Sequence, residues 1–142
     1  MPHVPRPAYH FVVQWGGTNM GFSEVSGLAI HIEPIEYREG SSPDNTSIKI
    51  PGQAKFPNIV LKRGITKGDI EFYQWINTIR MGTVERRDIL ISLLDESHTP
   101  VMTWKVHNAW PVKIESGPLN AKGNEVAMET IELVHEGLEM VV

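Results

Sequence analysis

Cysteine is missing from all 142 residues. That excludes disulfide staples and thiolate metal sites, and leaves nothing to report a redox compartment. Basic residues are in the minority, 13 Lys and Arg against 17 Asp and Glu, for a formal net charge of -4. A general nucleic-acid binder carries a basic face, so this balance argues against one, though not against a small local patch. No apolar run nears the roughly 20 residues that span a bilayer. The opening "MPHVPRPAYH" lacks the apolar stretch of a signal peptide. The expectation is a chain made in the cytoplasm, with no membrane anchor and no Sec-type signal. Internal repeats and low-complexity tracts are also missing.

What is present is ordinary globular composition, 41% hydrophobic and 21% charged. The length suits one domain with a core of its own. Residues 1–8 hold Pro2, Pro5 and Pro7 and read as an extended arm. Residues 9–142 are then the domain.

Along that domain the period of two dominates. Tyr9, Phe11, Val13 and Trp15 alternate with His10, Val12 and Gln14, which predicts a strand. From Gly21 a second, long strand is expected through "FSEVSGLAIHIEPIEYRE". Ile30 and Ile32 share one parity and Ile35 and Tyr37 take the other, so Pro34 marks a bulge or bend. "GSSPDNTSIKIPG" (40–52) reads as a loop. "NIVLKRG" (58–64) reads as a strand. A helix is predicted over about 69–81, opened by Thr66 and Asp69 in a capping box and stopped at Gly82. Its apolar face holds Phe72, Ile76 and Ile79, with Tyr73 and Trp75 flanking as core. "DILISLLD" (88–95) and "VMTWKVHNAW" are further strands. "EVAMETIELVHEGLEMV" reads as strand to about His135, with a slip between Val126/Met128 and Ile131/Leu133. Six or seven strands joined by short turns, with one helix, make a mainly β fold: an antiparallel barrel or two packed sheets with a flanking helix.

Chemical motifs are weak. Gly16, Gly17 and Gly21 follow a strand but precede another strand, so no helix N-terminus is there to hold a phosphate, and a hairpin turn is the better reading. "LKRGITKGD" has its lysine before Gly68, not after it as a Walker loop requires. "HEGLE" ends in Glu139 where a zinc-binding H-E-x-x-H has its second histidine. "DESH" is a solvated turn. No serine or threonine sits in a nucleophile signature. Lys62, Arg63, Lys67, Arg86 and Arg87 form at most a small basic patch, offset by Asp69, Glu71, Glu85 and Asp88. Catalysis, cofactors, metals and specific nucleic-acid binding are not expected.

Several blocks in order carry a resemblance: "FSEVSGL" leading to "IEYREG", "LKRGIT" before "FYQWI", "WKVHNAWPVKIE", and "NEVAMETIELVHEGLE". Together, from about residue 9 to 138, they resemble the inner tube proteins of contractile phage tails and of phage-tail-like contractile injection systems. One departure is His98, where relatives often have a turn glycine. The resemblance implies a tail-tube-like fold with the C-terminal segment as strand. It implies rings of six subunits stacked into a tube, with a contractile sheath outside, baseplate and spike proteins at the end and a protein cargo in the lumen. The particle would be cytoplasmic, membrane-docked or released. If six subunits each lend four strands to a shared barrel, the backbone diameter is about 37 Å at about 4.8 Å per strand.

Residue expectations follow from that resemblance. Composition alone favours a mobile surface loop at 40–52, whereas the family uses the corresponding segment between subunits and rings. Ser42, Pro43, Asp44, Asn45, Thr46, Ser47, Ile48, Lys49 and Ile50 are therefore expected at a subunit interface, with Ile48 and Ile50 as anchors. His31, Glu33 and Glu36 are candidates for a wetted, lumen-facing surface. Two alternatives stay open: a phage tail tube conducting DNA, and a secreted ring-forming effector or ligand-binding barrel. Neighbouring sheath, spike and AAA+ ATPase genes, or capsid and terminase genes, would separate the first two readings.

Overall fold

Alternation along β1 (Phe11–Gln14) turns Val13 inward, and Trp15 just beyond it is fully buried. In the computed structural model, the described residues are 11–16, 21–38, 40, 47–65, 70–80, 82–123 and 126–141. The remaining elements are β2 (Phe22–Ser26), β3 (His31–Tyr37), β4 (Ile48–Lys55), β5 (Ile59–Gly64), α1 (Glu71–Arg80), β6 (Arg87–Leu94), β7 (Pro100–Ser116), β8 (Met128–Val134) and β9 (Gly137–Met140). Nine strands thus stand among the described residues, where the sequence predicted six or seven.

Every strand pairing is antiparallel. Seven strands run in the order β1-β6-β7-β8-β5-β2, with β9 also on β7. The long β7 serves two sheets. Its first half lies between β6 and β9, and its second half pairs with β8. It turns at Asn108, whose φ of 52° suits asparagine better than most residues. Asp88 Oδ1 accepts from the Asn108 backbone N–H, and Asn108 Nδ2 donates to Glu136. Ile59, Leu61, Ile89, Ile91, Val106, Ile131 and Leu133 fill the interior from both sheets.

The helix closes one side of that core. Phe72 and Trp75 point inward, and Trp15 meets the Phe72 ring edge-on at 4.9 Å between centroids. Trp75 Nε1 donates to the Glu85 carbonyl. Tyr73, expected in the core, is instead exposed and places its hydroxyl 2.9 Å from Ser116 Oγ. Gly82 ends the helix at φ 81°, with its N–H on the Ile79 carbonyl. The predicted capping box at Thr66 and Asp69 lies outside the described residues, as does the proline arm.

Three expectations are corrected. The long second strand is two elements, because the chain turns at Gly27 (φ 94°), where an added Cβ would overlap the Asn58 carbonyl oxygen. The segment at 48–52 is not loop but the start of β4, because β-branched Ile48 and Ile50 find partners in β3. The Gly16–Gly21 connection does not join a hairpin: β1 and β2 occupy opposite ends of the large sheet. Gly16 does take a positive φ, 86°, beside the Arg87 side chain. In the C-terminal segment Val126 is exposed. The buried parity of β8 is Glu129, Ile131 and Leu133, and β9 continues it around a corner at His135 and Glu136.

A candidate assembly surface

β3 and β4 form a separate two-stranded sheet, bonded to no other strand among the described residues. All seven residues of β3 are exposed, and seven of the eight in β4. A two-stranded ribbon is marginally stable in water by itself, because neither face is covered. This one also exposes large apolar side chains: Ile35 and Tyr37 at 52%, Ile48 at 65% and Ile50 at 44%.

Register sorts those side chains by face. Ile35 pairs with Ile50, Tyr37 with Ile48 and Glu36 with Lys49. Cross-strand partners share a face and neighbours along a strand alternate. Ile35, Tyr37, Ile48 and Ile50 therefore form one apolar face. Glu36 and Lys49 lie on the opposite face with Ile32 and Pro34. His31 and Glu33 belong to the apolar side but at its far, polar end, where Lys55 bonds Glu33 Oε2 at 2.9 Å. The three lumen candidates are all exposed and divided between two faces. Ser47 sits exposed immediately before β4. Ser42, Pro43, Asp44, Asn45 and Thr46 lie outside the described residues.

The irregularity predicted near Pro34 is present and falls on the partner strand. Between the pairs Ile32–Ala54 and Pro34–Pro51, β3 advances two residues and β4 advances three. Gly52 and Gln53 thus oppose Glu33 alone, which is a bulge.

Among the described residues, no three His, Asp or Glu side chains gather to hold a metal ion. Of the small basic patch, Lys67 lies outside the described residues and Arg86 pairs with Glu136. Arg63 is buried against Glu129, Lys62 pairs with Glu24, and Arg87 lies half-buried over the Trp75 ring. The buried Arg63–Glu129 pair escaped the sequence reading. Its signal was parity: Leu61 and Arg63 alternate together, as do Glu129, Ile131 and Leu133, so both charges fall on inward positions.

An antiparallel barrel of two sheets with one flanking helix and a projecting hairpin is a tail-tube-type fold. Residues 7–139 match the family of the T4-like virus tail tube protein gp19, and the chain belongs to it. It is a tail tube protein of the contractile injection system kind. A chain in the sheath-tube complex of an extracellular contractile injection system, PVC, in its extended state is 38% identical (TM-score 0.88), with 98% of this chain and 93% of that one covered. A chain in the PVC sheath/tube terminator, also extended, is 38% identical (TM-score 0.89), with 99% of each covered. A chain in the anti-feeding prophage tube-terminating cap is 37% identical (TM-score 0.89), with 99% and 93% covered. A search of proteins with curated descriptions finds no match.

Proposed function

We propose that this chain is a non-enzymatic building block whose copies form six-membered rings stacked into a hollow tube for protein delivery, with the β3–β4 hairpin seated on a neighbouring copy. The observation that carries this is the apolar face of Ile35, Tyr37, Ile48 and Ile50, exposed on a ribbon that no other strand joins among the described residues. Exposed apolar patches on otherwise polar proteins mark contact surfaces, and unpaired strand edges invite pairing with another chain. Family membership and 38% identity to a chain of a sheath-tube complex support an outer sheath as a further partner, and 26% identity to a chain of the anti-feeding prophage baseplate supports a terminal baseplate. On this reading residues 9–142 are the tube domain and 1–8 an accessory arm.

The opposite face of the hairpin, where Glu36 and Lys49 stand beside Ile32 and Pro34, is assigned to the channel. His31 and Glu33 stand on the docking side, at its polar end, so Glu36 is the lumen candidate this reading keeps. Glu36 faces Lys49 across the strands, so this face adds no net positive charge and would not trap acidic cargo. Negative-stain electron microscopy of the purified protein at rising concentration, and of particles assembled on their baseplate, tests the proposal. Stacked rings of six are expected in the particles. Particles whose tube lacks this chain, or a ring of another order, would refute it.

A further inference from the structure

We infer that the bulge at Gly52 is the device that assembles the apolar docking face, by setting the phase between β3 and β4. This rests on the hairpin reading proposed above and adds the residue that determines it. The argument is one of counting. Starting from His31–Lys55 and Ile32–Ala54, a regular ladder would place Glu33 opposite Gln53 and Pro34 opposite Gly52. It would then pair Ile35 with Pro51, Glu36 with Ile50 and Tyr37 with Lys49. Ile50 would stand with Glu36 on the opposite face and Lys49 would stand beside Tyr37 on the docking face. A one-residue slip moves every side chain of a strand to the other face. The extra residue in β4 reverses that outcome, bringing Ile48 and Ile50 beside Tyr37 and Ile35 and leaving Lys49 with Glu36.

Two local features fix where the extra residue goes. At position 52 an added Cβ would overlap the Glu33 carbonyl oxygen and press on Ile35 Cγ1 at 3.3 Å, so the backbones approach as closely as only glycine allows. The next pair, Pro34 and Pro51, has no amide hydrogen on either strand, so it holds no N–H bond that could impose register by itself. The phase is therefore set by the bulge.

The test uses register and assembly as separate readouts. With no native cysteine in the chain, Ile35→Cys and Ile50→Cys place a disulfide-reporting pair at facing positions. Oxidation, read as loss of titratable thiol, is expected to be near complete in this background. It is expected to fall at least several-fold when Gly52→Val is added. Deleting Gly52 outright removes the bulge but restores a regular ladder with Ile35 still facing Ile50, so thiol loss is expected to return. In the cysteine-free chain, Gly52→Val is expected to lose incorporation into tubes and the deletion to keep it. Circular dichroism of each variant verifies that the barrel remains folded. Unchanged pairing in Gly52→Val, or lost pairing on deletion of Gly52, overturns the phase argument. Normal tubes from Ile48→Ser/Ile50→Ser, with the pairing pattern as predicted, would instead overturn the docking reading and leave the bulge standing.

Discussion

Arg63 Nε donates to Glu129 Oε1 across 2.6 Å inside the barrel, with the Arg63 side chain 1% exposed and that of Glu129 5%. The guanidinium carbon also lies 3.8 Å from the centre of the Phe72 ring, so strand β5, strand β8 and helix α1 meet on one cation. Losing Glu129 takes the Nε partner from a buried guanidinium, and breaking a buried pair is strongly destabilising. Glu129→Leu should cost about 3–5 kcal/mol of folding free energy, while Arg63→Met/Glu129→Leu should recover most of it. Urea unfolding of the two variants decides: a loss in the double variant as large as in Glu129→Leu would refute the rescue.

A second outcome concerns Gly27, where the chain leaves the large sheet for the hairpin. Its φ of 94° and its approach to the Asn58 carbonyl leave no room for a side chain. Gly27→Ala should destabilise by about 2–3 kcal/mol or more, combining backbone strain with displacement of the 57–59 connection. Thermal unfolding reads this directly, and an unchanged midpoint would contradict the geometry.

His98 gives a prediction of opposite sign. It holds φ 61° in the turn after β6, where Asp95 Oδ1 accepts from the Ser97 and Thr99 amides. A left-handed conformation costs a residue with a Cβ about 1–2 kcal/mol. Glycine escapes that cost but gives back about 0.4–1 kcal/mol through a freer unfolded chain. His98→Gly should therefore stabilise by about 0.5–1 kcal/mol, seen as a raised denaturation midpoint.

Assembly and stability should separate at the hairpin. Ile48 and Ile50 touch no core, so Ile48→Ser/Ile50→Ser should leave monomer stability within about 0.5 kcal/mol of the parent. Tube formation should nonetheless be lost, measured by electron microscopy of particles and by sedimentation. Loss of the fold in this variant would show that the hairpin supports the barrel.

Much of the fold was legible one segment at a time. Strand β1, strand β5, helix α1 and strand β6 announce themselves through periodicity that survives into burial: Val13 and Trp15, Leu61 and Arg63, Phe72 and Trp75, Ile89 and Ile91 all face inward. The segment from 40 to 52 misled because loop-forming residues run directly into Ile48–Lys49–Ile50, and composition does not say where one ends. Gly27 misled because local alternation continues on both sides of it while the chain changes sheets. Both errors are of pairing, which depends on residues distant in sequence.

The sequence by itself determined a β-rich domain without disulfides, with one amphipathic helix, and through its ordered motifs the tail tube family. Those are properties of local periodicity and residue chemistry. The tertiary structure alone decided that β7 serves two sheets, that Arg63 is a core residue held by Glu129, and that four apolar side chains share one face of the hairpin. Each of these is a matter of register between strands. Register is a relation between two segments, and in the hairpin it steps at Gly52, where the backbones approach as closely as only glycine allows.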